Sequence, residues 1–276
     1  VAVNKIDLVG FSKNNFRFAA SLITQYYSLD FLNEISNIQS KENNFILAPN
    51  LKFQYKFNKK ASVVASYTYN EVAPSEKNLF DGIILTNYRT FQNNEIDLHF
   101  LKTGSYVISY NFNNFFELTS FNISLNHNNR ENNYFSRNTI NPNTTVATSL
   151  LLDSGNKDYS LNMNGEKYIH FLRTTFQTSA NYFISQSKNI VNGSDLRDIE
   201  NRGLFLNLIG RTGFKGNLNF ENKISFANST FFLDGVNQNN FNSLKNSFKS
   251  ILKIKENLRA NAVLSFISSD LAINNN

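Results

Sequence analysis

Apolar and polar residues alternate with a period of two along most of this chain. In 60-KASVVASYTYN-70, Ala61, Val63, Ala65, Tyr67 and Tyr69 share one face; Ser62, Ser66, Thr68 and Asn70 share the other with Val64. In 47-LAPNLKFQYKF-57, Leu47, Leu51, Phe53, Tyr55 and Phe57 oppose Asn50, Lys52, Gln54 and Lys56. In 217-NLNFENKISF-226, Leu218, Phe220, Ile224 and Phe226 oppose Asn217, Asn219, Glu221, Lys223 and Ser225. The stretch 104-GSYVISYNF-112 puts Tyr106, Ile108, Tyr110 and Phe112 on one side, and a weaker alternation runs from Ala260 to Ile267. Successive side chains of a strand point to opposite sides, so each segment predicts a strand with one apolar and one polar side. The pattern predicts about twelve strands, many longer than the roughly 5–6 residues usual in globular sheets.

The connections predict alternating lengths. Tight polar turns are expected near Ser12–Asn15, Phe57–Lys60, Asn111–Asn114, Arg211–Gly216 and Lys255–Asn257, with a more apolar one near Tyr168–Arg173. Gly210-Arg211-Thr212-Gly213 reads as turn, because glycine supplies the unusual dihedrals. Longer Asn-rich connections are expected at 30–44, 71–97, 127–156, 188–202 and 233–241. Short turns at one end and long loops at the other are the asymmetry of a transmembrane barrel. Aromatics gather at segment ends: Phe11, Phe16, Phe57, Phe112, Phe115, Phe116, Phe171 and Phe214 at one, Tyr26, Tyr27, Tyr67, Tyr69, Phe231 and Phe232 at the other. Interfacial aromatic girdles predict that placement, and ordinary aromatic strand propensity also supplies it.

Composition sharpens this picture. The 276 residues carry a net charge of +6, only 17% charged residues and 14% aromatics. Soluble domains average roughly 25% charged. With no cysteine, disulfide frameworks and thiolate metal sites are excluded. Lys and Arg are scattered singly, which argues against nucleic acid as a partner. No apolar run approaches the about 18–20 residues of a membrane helix, whereas barrel strands cross with about 9–11 alternating residues. The first residues, VAVNKIDLVG, already read as strand with no basic leader, so the chain is expected to be an internal piece of a longer one.

The block 44-NFILAPNLKFQYKFNKKASVVASYTYNEVAPSEKNLFDG-82 resembles the barrel of TonB-dependent outer-membrane receptors, most of all the Bacteroidetes branch with large Asn-rich barrels. Pro49, Leu51 and Tyr55 match its P-x-L-x-x-x-Y strand, and Tyr69, Pro74 and Leu79 match the return strand. The stretch 146-VATSLLLDSGNKDYSLNMN-164 is similar as well, while 83–98 departs by having Gln92-Asn93-Asn94 where many members carry Gly-Asn. The resemblance implies an all-β fold, an antiparallel transmembrane β-barrel of the bacterial outer membrane. It implies one partial barrel domain over 1–276, part of a barrel of about 22 strands, with plug domain and signal peptide outside this chain. It implies ligand uptake without enzymatic activity and without cofactors. The implied partners are the lipid bilayer, the inner-membrane TonB complex acting through segments not in this chain, and a surface lipoprotein.

No catalytic or metal-binding constellation stands out. His99, His127 and His170 lack metal-ligand spacing and read as exposed polar residues. Asp195, Asp198 and Glu200 interleave with Arg197 and Arg202, a pattern that reads as a self-neutralised loop ahead of a cation site. Ligand contact is expected from the long loops, at Tyr88, Arg89, Phe91, Tyr134, Phe135 and Arg137. The lumen-facing candidates are Lys52, Gln54, Lys56, Asn217, Asn219, Glu221 and Lys223. Two readings compete with transport: a non-transporting adhesion or secretion barrel, and a soluble β-sandwich or propeller acting as a binding module.

Overall fold

The computed structural model describes residues 2–8, 12–13, 15–33, 38–73, 83–94, 100–131, 133–152, 155–255 and 258–273. These residues form strands and turns and contain no helix. In chain order the strands are β1 (Ala2–Leu8), β2 (Ser12–Lys13), β3 (Phe16–Asn33), β4 (Ile38–Lys56), β5 (Ala61–Val72), β6 (Ile84–Asn87), β7 (Thr90–Asn94), β8 (Leu101–Asn114) and β9 (Thr119–Arg130). There follow β10 (Asn133–Ile140), β11 (Thr145–Leu152), β12 (Lys157–Ile169), β13 (Thr174–Val191), β14 (Arg197–Thr212), β15 (Leu218–Leu233), β16 (Val236–Lys255) and β17 (Leu258–Ile273).

The main sheet is an antiparallel meander, β3–β4–β5–β8–β9–β12–β13–β14–β15–β16–β17. β1 and β2 both pair with β3, at registers one residue apart, since Leu8 lies opposite Ala20 but Ser12 opposite Arg17. Among the described residues no ladder joins β17 to β1 or β2, so the sheet is not closed.

The long connections β5–β8 and β9–β12 each contain a hairpin, β6–β7 and β10–β11. β7 runs parallel to β11, with Phe91 opposite Val146, and β10 runs parallel to the tip of β13. Two loops distant in sequence thus form one small sheet, β6–β7–β11–β10.

Several expected boundaries move. The turn expected at Asn111–Asn114 is strand, and the chain reverses at 115–118, where Leu118 takes a positive φ of 46°. The 170–173 turn ends the same way, on Arg173 at 47°. Gly210, Arg211 and Thr212 belong to β14, leaving only Gly213 in the turn. Three expected long connections, 30–44, 188–202 and 233–241, are mostly strand. At the last of these β15 and β16 are joined by Asp234-Gly235, both at positive φ (49° and 79°), the signature of a two-residue primed hairpin turn. Polar residues continue these strands because amides pair across them, as Asn228 does by donating to Asn240 (3.0 Å) and Asn242 (2.7 Å).

Paired residues face the same side, so the registers sort the whole sheet into two faces. One carries Leu51, Phe53 and Tyr55; Ala61, Val63, Ala65 and Tyr67; Tyr106, Ile108 and Tyr110. It continues through Phe121, Ile123 and Leu125; Leu161 and Met163; Ala180, Tyr182 and Ile184; Leu204, Leu206 and Leu208; Ile224 and Phe226; Leu244 and Phe248; Leu264 and Phe266. The opposite face is mostly Asn, Ser, Thr, Gln and charged residues, with Val64, Val107, Phe183, Phe205, Ile209 and Phe241 set among them.

The apolar face is left uncovered. Ile108 is 55% exposed, Leu125 54% and Phe248 43%. Among the described residues only Ile46, Ala48, Ala61, Phe100 and Phe135 are buried hydrophobics. Ile46, Ala48 and Phe100 form a small cluster with Ile23, Tyr27 and Ala73. It sits where β4 leaves β5: their ladder ends at Asn50 opposite Thr68, next to Pro49, which has no N–H to continue it.

Candidate functional site

The polar face offers the larger candidate surface. One row across it aligns Lys56, Ser62, Asn111, Asn122, Asn164, Ser179, Asn207 and Ser225 in direct register. The amides knit neighbouring strands together. Asn122 Nδ2 donates to Asn111 Oδ1 (2.7 Å), Gln177 Nε2 to Glu166 (2.9 Å), Asn126 Nδ2 to Ser160 (3.1 Å) and Asn181 to Asn162. Asp158 accepts from Ser185 at 2.6 Å, and Arg211 pairs with Glu221 at 2.8 Å. A cavity of about 520 Å³ opens on this row, lined by Asn111, Asn113, Asn122, Asn164, Glu166, Gln177 and Asn207 among others. A second, of about 630 Å³, shares Asn111 and Asn113 and reaches Lys56 at the end of β4 and Lys59 and Lys60 in the 57–60 turn. Together they form a trough whose asparagine and glutamine amides can hydrogen-bond polar solutes.

Of the candidates on this side, Lys52, Gln54 and Lys56 on β4 and Asn219, Glu221 and Lys223 on β15 share the polar face, but at well-separated strands. Asn217 lies in the turn before β15, its carbonyl accepting from Lys253 N–H at 2.7 Å. Asn219 is occupied with that turn: its Oδ1 accepts from Phe214 N–H at 2.6 Å. These contacts give Asn219 and Glu221 a structural task within the sheet.

The loop candidates converge on the small sheet. Tyr88 and Arg89 form the tip of β6–β7, with the Arg89 guanidinium 5.2 Å from the Tyr88 ring centre. Tyr88 is 84% exposed. Phe91, Phe135 and Arg137 fall on one face of this sheet by register, through Val146, Leu150 and Thr148 on β11. Phe135 is only 4% exposed and offers a ligand almost no surface. For Tyr134 the backbone pairs with Leu151. His99, Phe11, Pro74 and Leu79 lie outside the described residues.

An aromatic row escaped the sequence reading. Tyr67, Tyr106, His127 and Tyr159 are in direct register on the apolar face, at ring distances of 4.7, 5.8 and 4.3 Å. His127, expected to be an exposed polar residue, is half-buried and stacked between two tyrosines. The signal was the alternation Phe121, Ile123, Leu125, His127, which puts the imidazole on the apolar side. One step further, the same face turns polar with Asn129, Lys157, Gln186 and Glu200.

Of the acidic cluster, expected to be neutralised within its own loop by Arg197 and Arg202, only Glu200 pairs as expected among the described residues; residues 197–202 are strand, and Arg197 donates instead to Asn189 at 3.1 Å. Asp198 meets Lys188 at 3.5 Å, and Glu200 meets Arg202. The amide of Gln186 and the Arg202 guanidinium hold the Glu200 carboxyl below the usual carboxylate range, against the opposing cost of burial. Among the described residues no group of three or more His, Cys, Asp or Glu could hold a metal ion. Compared with known proteins, the chain matches no protein-family model and no curated protein.

Proposed function

We propose that this chain forms the wall of a transmembrane β-barrel in a bacterial outer membrane, with its apolar face on lipid and its polar face on an aqueous lumen. One observation carries the reading: a single face of the antiparallel sheet is apolar from β3 to β17, yet almost none of it is covered. In water that surface would be a severe liability; in a bilayer it is the required one. The apolar stretches run over 61–69 on β5, 176–184 on β13 and 218–226 on β15, close to the about 9–11 residues that cross a bilayer core. The aromatic row marks one boundary of this band.

The resemblance to TonB-dependent receptors extends the proposal to uptake. A ligand would meet the joined loop sheet, and an energised plug would open the polar trough. The short-turn end would then face the periplasm. The loop sheet also favours a second reading, an adhesion or secretion barrel that presents a platform and moves nothing. Membrane extraction decides the first step: the chain should require detergent and sediment with outer-membrane vesicles. Recovery in the aqueous fraction would overturn it. Uptake itself is tested by deleting 83–94, which should abolish ligand accumulation while leaving membrane insertion intact.

A further inference from the structure

We propose that a groove at the rim of the apolar band binds the phosphate-bearing headgroup of a membrane lipid, with Lys157, Lys188 and Arg202 as its cations. The inference rests on the bilayer reading above. The groove encloses about 670 Å³ and is lined by Lys157, Gln186, Lys188, Glu200, Arg202 and Phe232 among others. That size admits a small ligand group. Its place is fixed by register. Lys157, Gln186, Glu200 and Phe232 lie in one row across β12, β13, β14 and β15. The next row down holds Tyr159, Ile184 and Arg202, and the one below it Leu161, Tyr182 and Leu204. Charge therefore begins where the apolar surface stops, on the same side of the sheet.

The cations are disposed for an anion. Arg202 is held from two directions, by Glu200 and by the Phe232 ring 4.7 Å away. A guanidinium fixed in this way loses little freedom on binding and keeps further N–H donors for a phosphate. Glu200 is committed to Arg202 and to Gln186, which donates to it at 2.8 Å. Lys157 has no ion pair among the described residues. The lining is net positive, with three cations against Asp198 and Glu200. The apolar rows beneath add what a free anion cannot use, a surface for the acyl chains attached to the phosphate.

The chain contains no Trp, so a single introduced indole reports unambiguously. Tyr182→Trp places it beneath the groove, and Phe248→Trp places it on the same face of β16. Each variant is reconstituted in phosphatidylcholine bilayers containing acyl-brominated phosphatidic acid or acyl-brominated phosphatidylcholine, and quenching is compared. At Tyr182→Trp the brominated phosphatidic acid should be preferred by about tenfold, the factor expected of one good charge-assisted contact. Phe248→Trp should show no preference, and adding Lys157→Gln or Arg202→Gln to Tyr182→Trp should remove most of it. Equal quenching by both lipids at Tyr182→Trp overturns the headgroup site and leaves the bilayer reading standing. Quenching by neither lipid at either position overturns both. Loss of the preference in millimolar inorganic phosphate would assign the groove to free anions and overturn the lipid.

Discussion

A Cβ built on Gly203 would come within 2.2 Å of the Phe183 ring, which lies across that position from the neighbouring strand. Backbone dihedrals are not the constraint; the ring is, and it is in turn stacked on Phe205 at 6.0 Å. Gly203→Ala should destabilise the folded chain by about 1–3 kcal/mol, read from denaturant unfolding in detergent micelles. Phe183→Leu in the same chain should recover part of the loss, since the clash is shared between the two sites. Asn222 and Asn246 pose the opposite case. Both sit on the apolar face, opposite Phe248 and Ile224, and Asn222 Oδ1 is buried without a partner among the described atoms. A buried amide oxygen left without a partner costs about 1–3 kcal/mol, so Asn222→Leu should raise stability by that order. A loss of stability instead would mean that this part of the face meets something polar.

The alternation was legible in the sequence because it is local: two residues define a face, and Ala61 to Tyr69 or Leu218 to Phe226 show it without help. Strand ends were less legible. Beyond the apolar band both faces carry polar residues, the period-two contrast fades, and Asn-rich strands look like loops. The turn of β15–β16 was nonetheless written in the chain as Asp234-Gly235, whose left-handed dihedrals suit those two residues. Asp234 also ties the hairpin to β14, accepting from Asp198 N–H at 2.8 Å. Gly235→Ala should therefore cost about 1 kcal/mol, visible as faster amide exchange at the tips of β15 and β16. The β7–β11 pairing had no local signature, because parallel partners from two separate loops leave no periodic trace; Phe91 and Val146 are brought together only by the fold.

Across the molecule, the two faces should respond to charge in opposite ways. Leu206→Arg, on the apolar face, should cost about 2–4 kcal/mol in a bilayer, whereas Ser179→Arg, on the polar face, should cost little. Equal effects would remove the distinction on which the membrane reading depends. The joined loops can be tested without background thiols: a Phe91→Cys/Val146→Cys pair should crosslink under mild oxidation, since the two are direct partners in the parallel ladder. The scarcity of buried apolar side chains has a further consequence, for the chain's history. Sealing an interior is what drives most proteins to fold in water, and here there is little interior to seal. On the proposed membrane reading, the strands have reason to assemble only once lipid is present, and the chain would travel unfolded between ribosome and membrane. Its exposed Phe and Leu rows would be held meanwhile by a chaperone that recognises extended apolar segments, and insertion and folding would be a single event.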